Sequence, residues 1–244
     1  MRGLITALRT LTILPVPGRD AQRISDSLPY FPLVGALLGL TVSLAGLGFL
    51  SLAPGWAAGA AALVLVLEMV LTGALHTDGL GDTADSLGAG RDRQRALAIM
   101  KDSCQGSFGV VAIVLALLLK WVVYSFLLGL AGGWVLIAVA FVASRQATAH
   151  LAASQPYARP EGGTGAAVTG GGSWPGMTVG WLLALAICAL AGWAGVAGLA
   201  LSAAVVLVFG RWCRVRYGGV TGDLLGAHSE VSMIVVLFFL ALIS

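Results

Sequence analysis

Acidic side chains are scarce in this chain, 11 in 244 residues, yet three of them fall in the run His76-Thr77-Asp78-Gly79-Leu80-Gly81-Asp82-Thr83-Ala84-Asp85 with no cation among them. Carboxylates gathered without a counter-charge need a partner. If the run is helical, steps of about 100° per residue put Asp82 roughly 40° to one side of Asp78 and Asp85 roughly 20° to the other. All three then aim at one narrow face. Hard oxygen donors with neither cysteine nor several histidines favour Mg²⁺, Mn²⁺ or Ca²⁺ over zinc. Gly79 and Gly81 would let backbone or substrate come close. The chemistry this suggests is divalent-metal binding for phosphoryl transfer.

A second cluster, Gly218-Gly219-Val220-Thr221-Gly222-Asp223-Leu224-Leu225-Gly226, lies late in the chain, with Glu230 seven residues beyond Asp223. On a helix that spacing places both carboxylates on one face. The Gly/Thr run ahead of a helix start resembles a nest of free N–H groups for phosphate, with Gly219, Thr221 and Gly222 as its candidate contacts. With Arg214 and Arg216 upstream, it reads as the other half of a metal-diphosphate site, in which Asp223 or Glu230 completes a second metal site or accepts a proton. His228 reads as a polar interfacial residue. Between the clusters, Arg91 and Arg93 read as membrane anchors, whereas Lys101-Asp102 is placed for phosphate or metal contact. Three further charges, Glu68, Lys120 and Arg145, sit inside apolar runs, where each costs at least about 2.5 kcal/mol if unpaired. Similar depths for Glu68 and Arg145 predict an ion pair between them, or an arginine reaching a substrate phosphate. Lys120 is expected to snorkel outward.

These residues must be positioned by membrane helices. With 58% hydrophobic and 10% charged residues and a mean hydropathy of +0.94, the chain lacks the polar surface of a water-soluble domain. A hydrocarbon core about 30 Å thick takes about 20 apolar residues per helix. The expected spans are Phe31 to Leu52, Ala57 to Leu75, Phe108 to Leu128, Trp134 to Leu151, Met177 to Leu190, Ala194 to Phe209 and Ala227 to Ile243. They give an all-α polytopic membrane protein with six or seven transmembrane helices. Leu4, Ile5, Leu8 and Leu11 add a short N-terminal amphipathic helix lying in the interface. One integral membrane catalytic domain over residues 1–244 is expected, without a cleaved signal peptide.

The clusters Arg2/Arg9/Arg19/Arg23, Arg91/Arg93/Arg95/Lys101 and Arg211/Arg214/Arg216 fall on one side of this arrangement. By the positive-inside rule that side is the cytoplasm, so the chain is expected in the bacterial inner membrane with its active site facing the cytosol. A formal charge of only +3, in clusters beside apolar spans, argues for lipid and against nucleic acid as partner. Cys104, Cys188 and Cys213 are too far apart in sequence for a disulfide framework or thiolate site. The Gly-rich segment Gln155 to Gly176 is either a flexible linker or a substrate loop. Gly35/Gly39, Gly55/Gly59 and Gly176/Gly180 are small-residue pairs that let helices approach, and no internal repeat supports an inverted-repeat transporter.

Taken together, these stretches resemble the cobalamin synthase family, the adenosylcobinamide-GDP ribazoletransferases. Those that match are Leu11 to Pro17, Phe31-Pro32-Leu33-Val34-Gly35, Glu68 with Thr72-Gly73 and His76 to Asp85, Ile99-Met100-Lys101-Asp102-Ser103 with Gly106-Ser107-Phe108-Gly109, and Gly218 to Gly226 with Glu230. They occur in family order over nearly the whole chain, and Lys120 and Arg145 align with intramembrane charges of the family. The chain departs from the pattern at Ile13, Thr77, Ser86 and Cys104-Gln105, the last where arginine and an apolar residue are usual. The resemblance implies a Mg²⁺-dependent phosphotransferase in which a hydroxyl of α-ribazole, or of its 5′-phosphate, attacks the phosphorus carried by cobinamide and expels GMP. This would be the last step of vitamin B12 nucleotide-loop assembly. It would place Asp78, Asp82 and Asp85 at the metal, and Asp82, Asp223 and Glu230 in catalysis. Glu68, His76, Lys101, Asp102, Lys120, Arg145, Gly219, Thr221 and Gly222 would stand toward substrate. Self-association, or association with other enzymes of the pathway, is left open. Two other readings compete: a CDP-alcohol phosphotransferase-like lipid enzyme, whose D-G-x-x-A-R start fails here at Asp82-Thr83, and a membrane transporter.

Overall fold

The computed structural model describes residues 1–102 and 104–244; Ser103, in the Lys101-Asp102-Ser103 stretch, lies outside them. Ten α-helices form the described chain: α1 (Arg2–Leu11), α2 (Phe31–Leu52), α3 (Ala57–Thr72), α4 (Leu75–Ser86), α5 (Arg93–Ile99), α6 (Ser107–Gly129), α7 (Gly133–Ser154), α8 (Trp174–Ala189), α9 (Gly192–Tyr217) and α10 (Gly222–Ile243). Five of them, α2, α6, α7, α9 and α10, are long and apolar enough to cross a membrane, and α3 with α4 forms a bent sixth candidate. At about 1.5 Å per residue, the 16 residues of α8 reach only about 24 Å, so the span expected over Met177 to Leu190 is a shorter apolar helix that falls below the length of a full span.

The bundle is built around α7, which buries residues on every side and packs against α2, α6, α8, α9 and α10. Small residues allow this. A Cβ on Gly35 would fall 2.7 Å from the Phe141 carbonyl oxygen, and one on Gly39 2.7 Å from the Ala138 Cα, so α2 meets α7 backbone to backbone. Gly180 likewise faces Gln146 of α7. Gly55, by contrast, faces open space, and the atoms nearest a Cβ on Gly59 belong to its neighbour Trp56 rather than to another helix. The amphipathic α1 lies against the end of the bundle, burying Ala7 and Leu11. Arg9 donates to Asp20 at 2.6 Å and fixes the turn that follows.

Three sequence boundaries move for identifiable reasons. The span expected over Ala57 to Leu75 stops at Thr72, because Gly73 (φ 60°) and Ala74 (φ 56°) both take left-handed conformations and turn the chain by 88° into α4. That polar helix lies crosswise at the end of α3 as a separate element. Helix α9 continues eight residues past Phe209 to Tyr217, carrying Arg211, Arg214 and Arg216 on a helix rather than a loop. Helix α10 starts at Gly222, five residues before Ala227, because Thr221 caps it: its hydroxyl accepts from the Leu224 N–H at 3.2 Å.

Candidate active site

The expected helix over the aspartate run is present as α4, and it crosses the N-terminal end of α10 at two glycines. A Cβ on Gly79 would fall 2.6 Å from the Asp223 carbonyl oxygen, and one on Gly226 3.2 Å from the His76 Cα. At Gly79 a side chain would collide with backbone, and the close approach of the two helices sets Asp78 and Asp223 on the wall of one cavity of about 250 Å³. Thr10 and Leu11 of α1, Phe31 of α2, His76 of α4, and Thr148 and Ala152 of α7 complete much of the wall. Both acid clusters singled out from the sequence therefore meet at one place.

The three aspartates of α4 have diverged in what they touch. Asp85 turns to the start of α6, where its two carboxylate oxygens accept from the Gly106 and Gly109 N–H groups at 2.7 and 2.8 Å. It serves as an anion at a helix N-terminus, satisfying orphan donors, which departs from the metal-ligand role expected for it. Asp82 accepts from Gln105 Nε2 at 2.6 Å. Burial, reinforced by the carboxylates of Asp78, Asp223 and Asp85 and opposed by the Gln105 bond, pushes its carboxyl up to about 6. Asp78 is exposed toward the cavity. Asp223 accepts from Arg159 Nη2 at 2.9 Å and from the Thr221 hydroxyl at 3.2 Å.

Among the described residues, no three His, Cys, Asp or Glu side chains stand together as a ready chelating cage. A Mg²⁺ ion needs none, since it keeps several waters and takes one or two carboxylates plus substrate phosphate oxygens. The excess of mutually repelling carboxylates around Asp82 fits such an ion.

The charges inside the spans pair differently from the expectation. Lys120 donates to Glu68 at 2.7 Å and to Glu230 at 3.0 Å, and Tyr124 donates to the other Glu68 oxygen at 3.0 Å. Lys120 is 0% exposed and the two glutamates 1% each, so the lysine bridges α3, α6 and α10 instead of snorkelling. Arg145, also 0% exposed, makes no salt bridge among the described residues; it donates to Ser229 at 2.7 Å and Ser144 at 3.1 Å and stacks on the Phe141 ring. The predicted Glu68–Arg145 pair is absent because Lys120 reaches Glu68 first. Glu230, expected beside Asp223, faces inward to Lys120, two turns deeper in the bundle. His228 is buried too, its Nδ1 2.9 Å from the Thr148 hydroxyl, rather than interfacial.

The glycine-rich segment is neither a free linker nor remote from the site. Ala158 N–H donates to the Val220 carbonyl at 2.8 Å and Val220 N–H to Pro156 at 2.9 Å, pairing the segment with the stretch before α10. A Cβ on Gly165 would fall 2.7 Å from the Gly222 nitrogen, and Gly165 and Val168 line the cavity. This changes the expected phosphate nest. The Val220 and Leu224 N–H groups are already bonded, and Gly219 packs on Pro156, leaving Gly222 as the nest residue on the cavity wall. Lys101 and Asp102 are exposed and, among the described residues, bond to none of the acids of the site; Asp102 accepts from the Cys104 N–H at 3.1 Å. Residues the sequence reading missed are Gln105, Arg159, Tyr124 and Ser229. Arg159 hides in a segment whose composition signals only flexibility, and Gln105 stands at a position set aside as a departure.

Fold and site define a multi-pass membrane protein with a cavity at one end of its bundle, on whose wall acids from α4 and α10 meet. The chain matches the model of the cobalamin-5-phosphate synthase family over residues 3–241 and belongs to that family. Its relatives include proteins named adenosylcobinamide-GDP ribazoletransferase from Chlorobaculum parvum (45% identical over 99% of this chain and 96% of that one) and Chlorobium phaeobacteroides (42%, 97% and 96%). Another is from Pseudomonas putida (42%, 97% of both chains). No solved structure matches the chain.

Proposed function

We propose that this protein transfers the cobinamide-phosphate group of adenosylcobinamide-GDP to α-ribazole, or to its 5′-phosphate, releasing GMP. One observation carries the reading: the family match spans nearly the whole chain, and the motifs within it converge on the cavity between α4 and α10. The new bond joins a ribazole hydroxyl oxygen to the phosphorus attached to cobinamide. The bond broken is the P–O–P link, and its electron pair leaves with GMP.

In this reading Asp78 and Asp82 hold Mg²⁺, which when bound neutralises the diphosphate and the leaving phosphate. Asp223, on the cavity wall, accepts the proton of the attacking hydroxyl. Arg159, held on Asp223, is positioned to exchange that carboxylate for a phosphate oxygen. Gly222 offers backbone to the same phosphate, and His76 contacts the acceptor. Glu68, Lys120 and Glu230 act one layer below, locking α3, α6 and α10, the helices that carry or flank the acids. The site faces the cytoplasm of a bacterial inner membrane. Arg93 donating to the Ala158 carbonyl and Arg214 to Gln155 put two of the basic clusters at the same end of the bundle as the acids, which supports that orientation.

The test is incubation of the purified protein in detergent with adenosylcobinamide-GDP, α-ribazole and Mg²⁺, following GMP and cobamide by chromatography. Wild type produces both in equal amounts, EDTA stops the reaction, and Asp82→Ala, folded by its elution profile, loses at least a hundredfold in rate. Wild-type rates from folded Asp82→Ala would sink the metal assignment. Metal-coupled flux in sealed vesicles without GMP would favour a transporter.

A further inference from the structure

The cavity is small and mixed in character. At about 250 Å³ it falls below the roughly 300–1,000 Å³ of sites that enclose drug-sized ligands. Leu11, Phe31, Val168 and Leu225 make its walls apolar, while Asp78 and Asp223 stand at its acidic end. Its other polar side chains are mostly spent. Thr10 donates to the Thr6 carbonyl at 2.7 Å, and Thr148 donates to Ser144 at 2.9 Å and meets His228. His76 differs: it lines the cavity, is 4% exposed, and its Nδ1, itself buried, has no hydrogen-bond partner among the described residues. A buried ring nitrogen left unsatisfied in an otherwise apolar wall calls for one complementary atom on a ligand.

Resting on the proposed reaction, we infer that this cavity seats the base of the acceptor nucleoside, a flat bicyclic heteroaromatic ring packed on Phe31 and Val168 with its ring nitrogen answered by His76. A corrin macrocycle exceeds the volume. A guanine would bring an exocyclic carbonyl to walls whose hydroxyls, those of Thr10 and Thr148, already donate elsewhere. A benzimidazole brings apolar edges and one ring nitrogen, in keeping with a mostly apolar lining that holds one unpartnered ring nitrogen. With the base so placed, the ribose of the nucleoside lies at the acidic end, where Asp78 and Asp223 can receive its hydroxyls. The corrinoid and guanosine ends of the donor then lie outside the cavity, over the exposed face of α4.

Steady-state kinetics with each substrate varied in turn test the assignment. Val168→Phe, which fills the cavity from the loop side, raises the KM for α-ribazole at least tenfold and leaves that for adenosylcobinamide-GDP within twofold. The riboside of unmethylated benzimidazole recovers part of the loss. His76→Phe, on a different element, raises the same KM, and His76→Gln, which keeps a donor and an acceptor, returns it to within about threefold of wild type. The inference is overturned if the KM change falls on adenosylcobinamide-GDP, or if neither variant moves the KM for α-ribazole. If wild type releases no GMP, the proposed reaction itself falls, and calorimetric binding of α-ribazole decides the cavity alone. At least tenfold weaker binding to Val168→Phe upholds it, and equal binding overturns it.

Discussion

Replacing Lys120 by methionine removes the one cation that two buried carboxylates share. At an effective dielectric of 20, unit charges at the observed 2.7 and 3.0 Å attract by about 6 and 5.5 kcal/mol. Desolvation of three ions offsets most of that, so the pair is a weak source of net stability while intact. Its removal is another matter, because Glu68 and Glu230 then face each other in an apolar bundle. Breaking a buried pair from one side costs about 3–5 kcal/mol. For a chain of this length each kcal/mol moves Tm by about 2–4 °C, which gives a fall of about 6–20 °C. Thermal unfolding in detergent, followed by circular dichroism, reads this directly. Adding Glu230→Gln to Lys120→Met leaves Glu68 with its Tyr124 bond and balanced by Arg145, and recovers at least half of the lost Tm. A Lys120→Met protein within 3 °C of wild type, or a double variant less stable than the single, would refute the bridge as the tie between α3, α6 and α10.

Two further outcomes follow from the geometry. The Asp82 carboxyl, pushed up to about 6 by burial and neighbouring acids, is harder to ionise in the folded state than in the unfolded one, so metal-free wild type loses stability as pH rises from about 4 through 6. Asp82→Asn therefore raises Tm at pH 7.5 without Mg²⁺, and the gain shrinks as pH falls through 6 and is largely lost by about pH 3.5; an equal gain at pH 7.5 and pH 3.5 would exclude the crowding. Gly39→Val drives a branched side chain into Ala138 of α7, an overpacking that costs at least about 1–3 kcal/mol, and it lowers the yield of monodisperse protein, whereas Gly48→Val, facing open space, leaves it unchanged.

The elements were legible in the sequence because lipid demands long apolar runs, and the span Phe31 to Leu52 matches α2 residue for residue. The acid clusters were legible too, since uncompensated charge beside such runs is conspicuous. Partner choice was not. Depth along a helix placed Glu68 and Arg145 alike, but azimuth decides which side chains touch, and Lys120 lies on the facing side of α6. The divergence of Asp85 from Asp78 was also hidden, because one helical face a few residues long can serve two neighbours, α6 and the cavity. Arg159 depended on a loop pairing with Val220, a contact across more than sixty residues that no local pattern encodes.

The bridged charges also bear on how the chain is made. Helices leave the insertion machinery in order, and a lone charge at the bilayer centre costs about 2.5–3.5 kcal/mol by that route. When α6 arrives, Glu68 is already in place to receive Lys120. Then α7 brings Arg145, and the nascent bundle carries one uncompensated positive charge through the synthesis of α8 and α9. Glu230, on α10, restores neutrality among these four charges. Insertion of α10 is therefore the step that balances these four buried charges, and a bundle that lacks it is electrically incomplete within its spans.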